Sequence, residues 1–247
     1  MESKSLRGDS VLVIGAAGGI GAAVVAGFLA DASVARLFAV SRRGDSATVA
    51  DDRLQWLQCD HSDDAIASVV ADLLARDVSL GYVVVATGTL HGEGFEPEKA
   101  LDRIRRASLE KVLQVNTVIP SMWLAALTPL LRRSPGVVVA VLSARVGSIG
   151  DNALGGWYSY RASKAALNMI LKSAAIELAR RAPRAKLLAF HPGTTDTALS
   201  KPFQARVKAE KLFTPAFVAE RLIELMTMAS ADGELDYLDW AGKPIPW

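Results

Sequence analysis

Tyr160-Arg161-Ala162-Ser163-Lys164 sets a phenol and an ammonium four residues apart. On a helix, such a pair stands on one face. Tyrosine is a poor acid–base catalyst near neutrality because its unperturbed pKa is about 10. A neighbouring ammonium stabilises the phenolate and lowers that value. Bringing it near 7 takes about 4 kcal/mol of differential interaction. Any helix contains pairs at this spacing and most do nothing, so Tyr160 and Lys164 gain meaning only from what accompanies them.

A second cluster lies near the start of the chain, in Gly15-Ala16-Ala17-Gly18-Gly19-Ile20-Gly21. Glycines let a backbone turn sharply and approach a ligand, and the start of a helix offers unpaired N–H groups to a phosphate. The spacing departs from G-x-G-x-x-G, so a bare turn and a dinucleotide site both stay open. The next strand ends Val40-Ser41-Arg42-Arg43, with no acid where an NAD-binding fold carries one for the ribose. Arg42 can instead pair with a 2′-phosphate through a charge-assisted fork, or stand as a solvated surface arginine. With the glycine turn, this favours NADP(H), with NAD(H) possible.

These residues need elements to hold them. Apolar, β-rich runs occur at about 10–14, 35–40, 54–58, 81–86, 136–142, 186–190 and 236–240. They are near-continuous rather than alternating, as parallel strands buried on both faces are. Between them lie helical patterns at about 19–31, 62–76, 98–133 (broken), 158–181 and 215–229, the last opened by Thr214-Pro215. The alternation predicts α/β architecture: one Rossmann-type doubly wound parallel sheet of about seven strands with helices on both faces, in a single domain over residues 1–247.

Composition excludes other classes. With 51% hydrophobic and 22% charged residues the chain is too apolar for disorder, and its net charge of +2 gives no attraction to nucleic acid or anionic membrane. Val11 to Ala30 is uncharged and long enough to span a bilayer, but its bunched glycines read as a turn between strand and helix. The one cysteine, Cys59, allows no intramolecular disulfide, and His61, His91 and His191 lack metal-ligand spacing. A reducing, cytoplasmic setting is expected.

A G-x-x-x-G-x-G turn followed some 140 residues later by Y-x-x-x-K resembles the short-chain dehydrogenase/reductase family over essentially the whole chain. Residues 143–168 and the ending Gly242-Lys243-Pro244-Ile245-Pro246-Trp247 resemble its C-factor-like carbonyl reductase branch. The resemblance implies hydride transfer between a nicotinamide and a small carbonyl or alcohol substrate. Tyr160 would be the proton donor, and Lys164, aided by a cationic nicotinamide ring, would stabilise the phenolate. Asn116 would organise a proton relay. It further implies cofactor contacts at Gly15, Gly19, Ile20, Gly21, Ser41, Arg42, Asp60, His61, Gly88, Tyr160, Lys164, Pro192, Gly193, Thr195 and Thr197, and a homodimer or homotetramer.

Three places depart from the family pattern: Ile14 replaces a threonine, Val85-Ala86-Thr87-Gly88 replaces N-N-A-G, and Ala144 falls where the catalytic serine belongs. A bulge turning Ser143 inward is the favoured expectation. Ser148, another hydroxyl, or no hydroxyl at all are the alternatives. A catalytically weak dinucleotide-binding regulator of the same fold is the rival function. Ala198 to Thr214 is a candidate lid with Pro202 and Phe203 at its start. Trp157 and Tyr158 line either a substrate pocket or an oligomer interface. His191 is expected to be satisfied locally, and Arg180, Arg181, Arg184 and Lys186 to be a solvated helix end.

Overall fold

Ser10 to Ile14 are all buried, as five residues of a central parallel strand must be. The structure, a computed structural model, describes residues 7–44 and 50–247. In chain order its elements are β1 (Ser10–Ile14), α1 (Gly19–Leu29), β2 (Arg36–Ser41), β3 (Leu54–Gln58), α2 (Asp63–Ala75), β4 (Leu80–Val85), α3 (Arg106–Leu113), α4 (Ile119–Arg133) and β5 (Val138–Leu142). Then follow α5 (Tyr158–Arg181), β6 (Lys186–His191), β7 (Thr194–Thr195), β8 (Leu212–Phe213), α6 (Pro215–Met228) and β9 (Leu235–Asp239).

Seven strands form one sheet in the order β3-β2-β1-β4-β5-β6-β9, and every pairing in it is parallel. The α/β expectation holds strand for strand. Alternate side chains of each strand enter two cores: Val139 and Val141 pack with Trp123, Leu167 and Leu171 from α4 and α5, while Val138 and Ala140 pack with Phe28 and Leu222 from α1 and α6. The outermost strands are only partly covered, β9 alternating buried and half-buried residues. The chain winds outward from β1 through β2 to β3, then returns to β4 on the other side of β1. That reversal opens a crevice beyond the carboxyl ends of β1 and β4, where open α/β sheets bind ligands.

Local signals fix the helices. Ser62 accepts from Ala65 N at the start of α2, with Asp63 and Asp64 in the first turn, and Thr214 accepts from Phe217 N at the start of α6. The helical pattern at 98–133 resolves into a loop with a 3₁₀ turn at Leu101–Arg103, then α3 and α4 joined through a π turn at Gln114–Val118. One expectation is corrected: Lys186 is not solvated but 2% exposed. Its ammonium sits on both oxygens of Asp232 and on Asp236, because the first residue of β6 faces the acidic turn leading into β9. Among the described residues no helix is long and apolar enough to cross a membrane.

Candidate active site

The glycine turn makes the floor of a cleft of about 380 Å³ at the switch point. Gly15 has φ +82°, and a Cβ there would press on Ala86 backbone; a Cβ at Gly21 would overlap Gly15 O. α1 then begins with no side chain capping it and no acid in its first turn, so the N–H groups around Gly19, Ile20 and Gly21 are left for an anion. Thr197 leans over this turn, where a Cβ on Gly19 would come within 2.6 Å of its methyl group. Thr195 is 3% exposed and its hydroxyl has no partner in the protein. Gly193 follows Pro192 with φ +72° and turns the chain from β6 into this loop. An uncapped helix start facing a loop with an orphaned buried hydroxyl fits a pyrophosphate and a carboxamide.

Outward along β1's other neighbour, Ser41 is buried and donates to Gly44 O at 2.7 Å, so its proton is held within the turn. Arg42 is exposed beside it and close enough to His61 to help depress that histidine's pKa, after burial. His61 has φ +68° and accepts from the Trp123 indole at Nδ1 (3.1 Å), which leaves any proton on Nε2. Asp60 caps the next turn, accepting from Ser62 N and Oγ, and these bonds hold its carboxyl below the ordinary range.

On the opposite wall α5 brings Tyr160 and Lys164 into the same cleft as Gly19, Gly88 and Pro192. Lys164 is 2% exposed; its Nζ donates to Leu142 O at 2.7 Å and lies 6.0 Å from the Tyr160 ring centre. Burial pushes the ammonium down to about 7 and, with the Tyr237 phenol nearby, the Tyr160 phenol up to about 12. The expected lowering of Tyr160 by Lys164 is therefore absent from the protein alone. Desolvation of the phenol outweighs an ammonium that is turned toward a carbonyl and whose own pKa is lowered by burial.

Asn116 sits in the π turn and is fully buried. Its Oδ1 accepts from Thr89 N (2.7 Å), and its Nδ2 donates to Thr89 O (2.8 Å) and Ser163 Oγ (3.0 Å). The amide thus pins the segment after β4, which carries Gly88, against α5. The bulge expected at Ser143 does not form: β5 keeps register with β6 through Leu142, and Ser143 N continues it by donating to Phe190 O. Ser143 lines the cleft, but its Oγ donates to Asn168 Oδ1 at 2.6 Å. Ser148 accepts from Asp151 N within its own turn. Ala144 follows Ser143, its carbonyl receiving the Tyr237 hydroxyl (2.7 Å).

Sequence reasoning missed His91. Its Nε2 faces the carbonyls of Ala198 and Leu199, so that nitrogen carries the proton, and its ring meets Phe203 edge-on at 5.6 Å. Phe203 also meets Trp157 at 5.2 Å, and Trp157 meets Tyr160 at 6.2 Å. Trp157 therefore belongs to an aromatic wall beside Tyr160, with the segment after Ala198 folded over it. No spacing in the sequence points from His91 to residues more than 100 positions away. His191, expected to be satisfied, keeps an Nδ1 with no partner.

Residues 9–208 match the sequence profile of the short chain dehydrogenases. The chain belongs to the short-chain dehydrogenase family. Members are NAD(P)-dependent oxidoreductases. Over 163 residues, 66% of each chain, this dehydrogenase is 33% identical to a 1-hydroxy-2-glutathionyl-2-methyl-3-butene dehydrogenase of Rhodococcus sp. strain AD45. Over 148 residues, 60% of this chain and 84% of the other, it is 27% identical to the C-signal protein of Myxococcus xanthus, in line with the C-factor-like branch. The NADPH-bound carbonyl reductase from chicken fatty liver has the same fold, with a TM-score of 0.83 at 23% identity over 98% of this short-chain dehydrogenase and 96% of that chain.

Proposed function

We propose that this short-chain dehydrogenase is an NADP(H)-dependent carbonyl reductase, reducing a small ketone or aldehyde or oxidising the matching alcohol. The observation that carries it is that Tyr160 and Lys164 share one cleft with the glycine turn. The α1 start would hold the pyrophosphate, Thr195 the carboxamide, Lys164 the ribose and Arg42 the 2′-phosphate. Bound nicotinamide supplies the hydride. Tyr160, protonated at neutral pH, gives its hydroxyl proton to the carbonyl oxygen as that oxygen becomes an alcohol. Lys164 steadies the phenolate left behind, Asn116 keeps the cleft wall in place for the returning proton, and Ser143 offers the remaining hydroxyl. The aromatic wall of Trp157 and Phe203 excludes water and favours an apolar substituent on the substrate.

NADPH oxidation across a panel of ketones, aldehydes and quinones, with Tyr160→Phe alongside, tests this. Turnover that drops at least ~10²-fold in Tyr160→Phe, with cofactor still bound, is the expected result. Near wild-type turnover in the variant would sink it. Tight NADPH binding with no turnover on any substrate would favour the rival, a dinucleotide-binding regulator, for which Ala144 at the serine position speaks. The whole chain is read as one cofactor-binding domain of a cytoplasmic protein with one cysteine. Exposed Met122, Met169 and Ile176 on α4 and α5 support a homo-oligomer, to be read by light scattering.

A further inference from the structure

Asn168 lies two turns along α5 from Tyr160 and is 3% exposed. Its Oδ1 accepts the Ser143 proton, while Nδ2 of the same amide is buried without a partner. Tyr237 stands beside both side chains: Asn168 and Ser143 each hold its phenol down against burial, and its own proton goes to Ala144 O. Nδ2 thus holds no hydrogen bond that a turn of the amide would break, and Ser143 Oγ can either donate to Oδ1 or accept from Nδ2. A half-turn about Cβ–Cγ exchanges the two ends. Nδ2 then donates to Ser143 Oγ, and the Ser143 proton is released toward the cleft that Ser143 lines.

We propose that Asn168 is the positioning residue that arms Ser143, so that Ser143 donates to the substrate's carbonyl oxygen in place of the hydroxyl missing at Ala144. The proposal rests on reading the cleft as a Tyr160-dependent reductase. No bond forms or breaks at Ser143; its O–H stabilises charge as it grows on the oxygen that Tyr160 protonates. It explains why a straight β5, without the expected bulge, still serves the site. Ser143 reaches α5 on the regular alternation of the strand, and the amide opposite it decides where its proton points.

The test compares kcat and KM, with NADPH and the best carbonyl of the panel, for Asn168→Asp, Ser143→Ala and the double variant. Aspartate keeps the shape of asparagine and accepts the Ser143 proton, but when ionised it has none to give back. Asn168→Asp and Ser143→Ala should each lower kcat about 10²-fold with KM little changed, and the double variant should be no slower than Ser143→Ala alone. Ala144→Ser placed on Asn168→Asp should recover at least about tenfold, a gain that a merely structural Asn168 would not allow. Wild-type kcat in Ser143→Ala, losses that multiply in the double variant, or no recovery by Ala144→Ser overturns the proposal. Ser143→Ala removes a single oxygen, so it remains informative if the buried aspartate prevents folding. Tyr160→Phe run in parallel separates the two readings. An active Tyr160→Phe removes the reductase itself, whereas an inactive one beside a fully active Ser143→Ala removes only the role given to Asn168 and Ser143.

Discussion

Arg42 and Ser41 sit side by side at the end of β2 with opposite fates. Ser41 turns inward and donates to Gly44 O, while Arg42 stays exposed near His61. Among the residues proposed for this end of the cofactor site, Arg42 supplies the positive charge a 2′-phosphate needs, whereas Asp60 adds a negative one and is held ionised by Ser62. Arg42→Ala should therefore weaken NADPH by about 1.5–3 kcal/mol, the range for a hydrogen bond to a charged group, and leave NADH nearly unchanged. Equal losses for both cofactors, measured by fluorescence titration, would remove Arg42 from the site. Asp60 and the N–H groups of α1 would then have to carry the preference. Residues such as Arg42, Tyr160 and Lys164 were legible in the sequence because their chemistry is tied to short local spacings. The partner of Ser143 was not, since it depends on two elements meeting across the core.

The elements that hold Tyr160 are joined by a carboxylate that no motif or spacing singles out. α5 starts after Gly155, Gly156 and Trp157, all with positive φ, and Trp157 itself provides no side-chain cap. Glu98, 5% exposed on the loop before α3, fills that role: Oε2 accepts from Ser159 N at 3.0 Å, Oε1 accepts the Ser159 hydroxyl, and Glu98 O accepts from Trp157 N. A negative charge at a helix start is favourable by both hydrogen bonding and the dipole. Glu98→Ala should lower the unfolding free energy by about 1.5–3 kcal/mol and reduce kcat more than NADPH affinity, since it loosens α5 rather than the glycine turn. An unchanged urea midpoint with unchanged kcat would show that the α5 start holds without it. The same segment shows where sequence patterning stops. The broken helical pattern at 98–133 opens on Glu98, yet Leu101 is 70% exposed and Glu98 is drawn away to α5. By contrast, β1, β2 and β4 to β6 were legible because two cores require unbroken apolar runs. The π turn at Gln114–Val118 adds one residue to a helical turn and leaves no mark in composition, though it is what presents Asn116 to Thr89.

At the scale of the whole molecule, three groups at the cleft end of the sheet, buried Lys164 and half-buried His191 and Tyr160, tie stability to pH. His191 is held down to about 4 by burial first, then by Arg145, against the opposing pull of Asp239 and Asp151. The unfolded chain takes up that proton near the ordinary value of about 6.5, so between pH 6.5 and 4 unfolding binds more protons than folding, and stability falls as pH falls. Lys164, held down to about 7, acts in the same direction at higher pH: its contribution is lost as pH drops from about 10.5 to 7. Tyr160, pushed up to about 12, acts in the opposite sense above pH 10, where only the unfolded chain releases its proton and stability falls as pH rises. The three together place the stability maximum on the alkaline side of neutrality in the cofactor-free protein, with urea midpoints rising from pH 5 to pH 9. His191→Gln removes one of these groups while keeping a polar side chain. It should flatten the slope between pH 4 and 6.5, where the wild-type protein loses on the order of 3 kcal/mol, and leave the slope between pH 7 and 10 to Lys164. Urea titrations of both proteins at half-unit pH intervals would read this directly. Parallel curves throughout the acid range would mean that His191 charges in the folded protein without cost, and that the Asp239 and Asp151 carboxylates compensate for its burial.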